Sequence, residues 1–206
     1  MASTRRHAPE GGNAVRCLAA HAHSRVLIAG GTDGTARALD PRLRPNACVV
    51  ATLGPFHTHA PISHLSMQIG ASSPYVVAAS PQGDIAVWDW RRAVAAASPN
   101  SPKGAATGAA AGSSAHAITS HKAGLSALAV HPQLPRVASG SRNQFIKLFD
   151  IATLRDGGTP REVHSIRYFD GFLGARIGPV TTLAFHPTRM LLAVGATDSV
   201  LSIYSS

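Results

Sequence analysis

The stretch from Ala123 to Asp150, AGLSALAVHPQLPRVASGSRNQFIKLFD, recurs without a gap at a displacement of 55 residues, and this self-similarity limits the possible folds more than any other feature. Moved forward, it lies on Gly178 to Ser205 and pairs Leu128 with Leu183, Ala129 with Ala184, His131 with His186, Pro132 with Pro187, Ala138 with Ala193 and Gly140 with Gly195. Moved back by twice that distance, it sets Leu18, Ala19, His21, Gly30, Asp33 and Asp40 opposite Leu128, Ala129, His131, Gly140, Asn143 and Asp150. A fixed long period signals a repeat architecture, in which each unit buries its apolar face against its neighbours. Function is therefore to be sought on shared surfaces.

Within each unit the pattern is one of short strands. The first unit places strands near 14–20, 25–30 and 35–40, and the last two meet at Gly31-Thr32-Asp33-Gly34, an Asp-Gly hairpin signal. The apolar run from Ala47 to Leu53 reads as an outer strand. The second unit has strands near 62–69, 75–79 and 84–88 and ends in Trp88-Asp89. The third has an outer strand near Ala115 to Thr119 followed by strands near 125–130, 135–139 and 145–150. The fourth has strands near 162–168, 180–185, 190–194 and 199–204. Residues 1–12 are polar and aperiodic and read as a disordered leader. Residues 93–115 read as a low-complexity insertion without helix or strand periodicity, expected to be disordered and dispensable. The units thus occupy 13–206.

Composition narrows the class. Apolar residues at 45% of 206 suffice for a core. Cys17 and Cys48 lie on different predicted strands in no CxxC pairing, so neither a disulfide framework nor a thiolate metal site is indicated, and a reducing compartment fits best. No apolar run approaches the ~18 residues of a transmembrane helix, and the opening MASTRRHAPEGG lacks the apolar centre of a secretory signal. The net charge of +9 is scattered: no basic run exceeds Arg5-Arg6 or Arg91-Arg92, and no basic stripe alternates with aromatics, so nucleic acid is not the expected partner.

The period, the strand count and the endings Ala38-Leu39-Asp40, Val87-Trp88-Asp89, Leu148-Phe149-Asp150 and Ser202-Ile203-Tyr204 resemble WD-repeat β-propeller blades. The resemblance implies an all-β fold, a partial propeller of about four blades. In such blades a His before the inner strand, a Ser/Thr on the second strand, an Asp in the following turn and the Trp of the third form a hydrogen-bonded network. The third blade offers His121, Ser139, Asn143 and Phe149, and the first offers Asp33 without the His or the Trp. Four blades of a geometry suited to seven leave an open arc with exposed edges, so the chain is not expected to close a ring by itself.

A narrower resemblance rests on the last ninety residues. Ser141, Asn143, Gln144 and Phe145, then Tyr168, Gly171, Phe172, Gly174, Arg176, Gly178 and the segment from Leu183 to Pro187, resemble the carboxyl-terminal propeller of the Raptor family, the scaffold subunits of TOR complex 1. GGTDGTARALDPRL and SPQGDIAVWDWRR fit its preceding blades. The resemblance implies a non-catalytic scaffold whose partners are the TOR kinase and its substrates, without a cofactor. It also implies a cytoplasmic location, with recruitment to a lysosomal or vacuolar membrane surface inside a complex. A generic WD-repeat adaptor of another complex is the alternative.

Reactive-site readings fare worse. His21-Ala-His23 and His57-Thr-His59 each set two imidazoles on one side of an extended segment, but a third metal ligand at recognisable spacing is lacking. His131 and His186 sit in His-Pro turns and read as structural. No G-x-S-x-G elbow, Walker-type loop or H-E-x-x-H occurs. The segment from Tyr168 to Arg176 is different, because Tyr168, Phe169, Phe172 and Leu173 occupy a loop, where apolar surface is normally avoided. It is either satellite core under a blade or, with Arg176, a glycine-flanked wedge of the composition usual for interface hot spots.

Overall fold

Antiparallel meanders form because each unit alternates apolar and small residues at period two and breaks at Gly-containing turns. A computed structural model describes residues 13–21, 24–54, 59–68, 75–97, 116–167 and 178–205. Blade one comprises β1 (Val15–His21), β2 (Val26–Gly31), β3 (Ala36–Leu39) and β4 (Val49–Leu53), hydrogen-bonded in that order. Blade two comprises β5 (His64–Met67), β6 (Tyr75–Ala79), β7 (Asp84–Asp89) and β8 (His116–Thr119), with helix α1 (Trp90–Ala97) between its last two strands. Blade three is built from β9 (Leu125–Val130), β10 (Arg136–Ser141), β11 (Phe145–Asp150) and β12 (Arg161–Arg167). Blade four has β13 (Val180–Phe185), β14 (Leu191–Ala196) and β15 (Leu201–Ser205).

Two sequence expectations are corrected. The strands expected near Ala115 to Thr119 and near 162–168 open the third and fourth units in the sequence pattern, but β8 pairs with β7 (Asp84↔Thr119 through Val87↔His116) and β12 with β11 (Phe145↔Arg167 through Asp150↔Arg161). Each outer strand therefore closes the blade before it, since the chain completes its meander before crossing to the next inner strand. The insertion assigned to 93–115 as free of helix periodicity begins inside α1. Asp89 accepts the backbone N–H groups of Arg91 (3.0 Å) and Arg92 (3.3 Å) at its start, and Trp90, Ala93 and Val94 pack on the core at i, i+3, i+4 spacing. Residues 98–115 and 1–12 lie outside the described residues.

Among the described residues the core is divided into three clusters, one between each successive pair of blades. Ile28, Ala36, Ala38 and Leu53 of blade one meet Ile62, Met67, Val76 and Trp88 of blade two. Val77, Ile85 and Val87 of blade two meet Leu125, Val137 and Phe149 of blade three. Ala127, Ala129, Ala138 and Ile146 of blade three meet Val180, Leu183, Leu192 and Val194 of blade four. The repeat glycines permit this stacking: a Cβ on Gly30 would strike Ile62, and one on Gly140 would strike Val180, each on the segment leading the next blade.

Candidate interaction surface

The acidic side chains singled out by the repeat are spent on turns. At the strand ends, Asp40, Asp89 and Asp150 each accept the backbone N–H two residues on, from Arg42, Arg91 and Ala152 at 3.0, 3.0 and 2.8 Å. Asp40 also takes the Arg42 guanidinium on both oxygens, and this bond, with that backbone N–H, holds its carboxyl down to about 2. Asp150 is ion-paired with Arg136 across the strand pair. In the hairpin turns, Asp33 and its repeat counterpart Asp198 accept the N–H groups of Thr35 (3.1 Å) and Val200 (3.3 Å).

The histidines are used likewise. His131 is fully buried, and its Nδ1 accepts the N–H groups of Gln133 (3.1 Å) and Leu134 (2.9 Å), which leaves Nε2–H facing the Arg189 carbonyl at 3.2 Å. His186 Nδ1 accepts the N–H groups of Thr188 and Arg189 (3.2 and 3.1 Å), and His21 Nδ1 that of Ser24 (3.0 Å). His23 and His57, the other members of the suggested metal pairs, lie outside the described residues. Among the described residues there is no group of three or more His, Cys, Asp or Glu able to hold a metal ion.

The network expected in blade three forms in part. His121 Nε2 and the Ser139 hydroxyl are hydrogen-bonded at 2.8 Å, both buried. Asn143 instead donates its backbone N–H to Ser141 Oγ, and Phe149, which has no N–H to offer in place of a Trp, lies in the core between blades two and three. Trp88 is fully buried in the core between blades one and two. Burial, aided by the positive charge of Lys147, lowers the His121 pKa to about 4. Between about pH 6.5, the value of a free histidine, and about pH 4 the unfolded chain takes up a proton at this ring that the folded chain refuses. Stability present at neutral pH is therefore lost as the pH falls through that window. Melts recorded from neutral to acid pH should show a shallower acid decline for His121→Gln than for the parent; parallel declines would refute the assignment.

Two surfaces remain that the turns do not consume. The first is an apolar groove of about 570 Å³ between blades three and four, lined by Leu134, Leu148, Val163, Ile166, Phe185 and Tyr204, with Arg136 and His164 among its polar groups. Its lining includes Leu134 and Pro135 beside the His131 turn and Met190 beside the His186 turn. The second rim carries the Ser141–Gln144 and Thr197–Val200 turns and the roots of the aromatic segment. At those roots the Arg167 guanidinium covers the Phe145 ring at 5.2 Å, and Gly178 N–H donates to Asp198 at 2.7 Å. Tyr168, Phe169, Phe172, Leu173 and Arg176 themselves lie outside the described residues. Sequence reading missed the groove, whose lining comes from two blades.

Three four-stranded meanders and one three-stranded meander, stacked with shared cores between them, define an arc of a β-propeller. The family "WD domain, G-beta repeat" matches residues 3–40, 112–150 and 171–205, and the chain belongs to that family. Within it, the chain is similar to "Regulatory-associated protein of TOR 1" of Arabidopsis thaliana, at 35% identity over 91% of this chain and 12% of that protein. The crystal structure of Chaetomium thermophilum Raptor matches with a TM-score of 0.69 and 26% identity, over 95% of this chain and 16% of that one. The β-propeller domain of Cps50 (Swd1) from Myceliophteria thermophila shares the fold, with a TM-score of 0.65 and 16% identity over 94% of this chain and 51% of that one. The chain thus spans about an eighth of the curated relative's length.

Proposed function

We propose that the chain is a non-catalytic interaction scaffold of the Raptor type, which helps to hold and present substrates to the TOR kinase in the cytoplasm. The observation that carries this reading is the similarity over 91% of the chain to a regulatory-associated protein of TOR. The fate of the reactive side chains supports it: Asp33, Asp40, Asp89, Asp150, His21, His131 and His186 are hydrogen-bonded into turns rather than converging on one pocket. Two rims built from different turns can seat two partners at once. Recruitment to a lysosomal or vacuolar membrane surface would then come from the complex.

In this reading the aromatic wedge of Tyr168, Phe169, Phe172, Leu173 and Arg176 is the contact with a partner. Phe172→Ala should weaken co-purification with the TOR kinase and its substrates by about 2 kcal/mol, the cost of losing a hot-spot aromatic, with the melting temperature unchanged. A lowered melting temperature with unchanged binding per folded molecule would refute the wedge and make the segment satellite core. Retained folding with no TOR association in the parent chain would refute the scaffold reading itself.

A further inference from the structure

Five arginines gather at one end of blades one and two. Leu27 pairs with Leu39, so the β1–β2 turn that ends at Arg25 lies beside the link Pro41-Arg42-Leu43-Arg44-Pro45 that follows β3. Helix α1 reaches the same place from blade two. The Trp90 ring meets the His21 ring at 5.7 Å between centroids, the Arg25 N–H donates to the His21 carbonyl at 3.0 Å, and Trp90, Ala93 and Val94 share a core cluster with Ala51 and Leu53 of β4. Arg91 and Arg92 follow Trp90 directly, and both are exposed. Three separate segments thus build this end, which is why the sequence shows it only as scattered arginines.

Two carboxylates stand among these arginines, and both are spent. Arg42 takes Asp40 on both oxygens, while Asp89 accepts two backbone N–H groups at the start of α1 and lies 3.6 Å from Arg92 Nε. Among the described residues neither Arg25 nor Arg44 is ion-paired. At the opposite end of the same blades Arg16, Arg37 and Lys122 stand against Asp33 and Asp84, and Arg37 is paired with Asp33. The excess of positive charge is therefore greatest at the α1 end. Two details speak against a merely structural cluster. Arg25 holds a φ of 56°, in the left-handed region where a side chain like arginine is disfavoured. Leu43, between Arg42 and Arg44, is 40% exposed in a link held by a proline on either side and by the Asp40–Arg42 bonds.

We propose that this end of blades one and two docks an Asp- and Glu-rich segment of a partner protein, with Leu43 meeting an apolar residue of that segment. The proposal rests on the scaffold reading for its setting, since a scaffold that presents substrates needs a surface that takes them. Guanidinium forks bind carboxylates two-pronged, and arginine is enriched at protein interfaces where lysine is depleted. Contacts made permanently are apolar, like a core cut in half; exposed, unneutralised charge instead steers a partner that comes and goes. Nucleic acid fits less well, because Trp90 and His21, the aromatic groups among these arginines, are buried and offer no face for a base to stack on.

The probe is a fluorescent peptide of Glu and Asp around one central Leu, titrated by anisotropy into the 206-residue chain. It should bind at low salt and weaken severalfold at physiological ionic strength. Arg25→Glu with Arg44→Glu should weaken it about tenfold or more, whereas Lys122→Glu with Arg142→Glu, the same change of net charge at the opposite end, should leave it within about twofold. Arg25→Asn should weaken binding yet melt no lower than the parent, since Asn enters the left-handed region readily. The proposal is overturned if the opposite-end pair weakens binding as much, which would make net charge the cause, or if Arg25→Asn lowers the melting temperature while binding is kept. It is overturned as well if the chain ignores the peptide, or if it takes phosphatidylserine vesicles or RNA through the same arginines in preference to it. The titration is repeated on the complex isolated with the TOR kinase, where refusal of a peptide that the free chain binds would mark the surface as already covered and overturn the proposal. Peptide binding by a chain that fails to associate with the TOR kinase would refute the scaffold reading and leave this surface standing.

Discussion

Trp88→Ala should lower stability by about 3–5 kcal/mol, the usual cost of truncating a buried Trp, out of a total of about 5–15 kcal/mol for a domain. Trp88 is fully buried on β7 and belongs to the cluster with Ile28, Leu53, Ile62, Met67 and Val76, so its ring is held by two blades at once. Removing it leaves a cavity in a junction whose walls are regular strands and cannot collapse freely. Urea denaturation should show the midpoint fall with little change in slope. Trp88→Phe should lose distinctly less, since an aromatic ring still fills most of the site. If Trp88→Ala cost under about 1 kcal/mol, the junction between blades one and two would not be a well-packed core.

What the sequence made legible was whatever the repeat and the turns encode locally. The displacement of 55 residues placed Leu128, Leu183 and their neighbours on strands, and Asp33-Gly34 marked a hairpin in which Gly34 does adopt a positive φ of 75°. The pairing of His121 with Ser139 was legible only through the resemblance to WD-repeat blades, since the 55-residue displacement sets Gly11 and Arg176 opposite His121. Less legible was which blade owns an outer strand, because His116–Thr119 and Arg161–Arg167 have strand patterns that fit either neighbour, and the hydrogen-bond register alone decides. Helix α1 was hidden by composition: its Ala-rich run merged with the small-residue insertion behind it, although Asp89 as an N-cap and the Trp90, Ala93, Val94 spacing were there to read. The groove between blades three and four had no sequence signal, since Leu134 and Tyr204 are brought together only by the stacking of blades.

Gly83→Ala should be the most damaging change at a position with no side chain. Gly83 closes the turn between β6 and β7 with φ at 107°, a region that residues with a Cβ occupy only at a cost of about 1–3 kcal/mol. The added methyl would also strike the carbonyl of His121, backbone that cannot swing aside as a flexible side chain could. The Gly83 carbonyl accepts the Ser120 N–H (2.9 Å) and hydroxyl (2.8 Å), so displacing the turn pulls on the segment that joins blade two to blade three. That segment carries His121 to its hydrogen bond with Ser139. The expected result is thus a loss of stability above the 1–3 kcal/mol of strain, accompanied by a rise of the His121 pKa from about 4 toward its ordinary value as the ring loses its buried place. Thermal melts measure the first and the pH dependence of the His121 ring proton resonances the second. A destabilised variant with an unmoved His121 titration would mean that the turn and the blade junction are not mechanically linked.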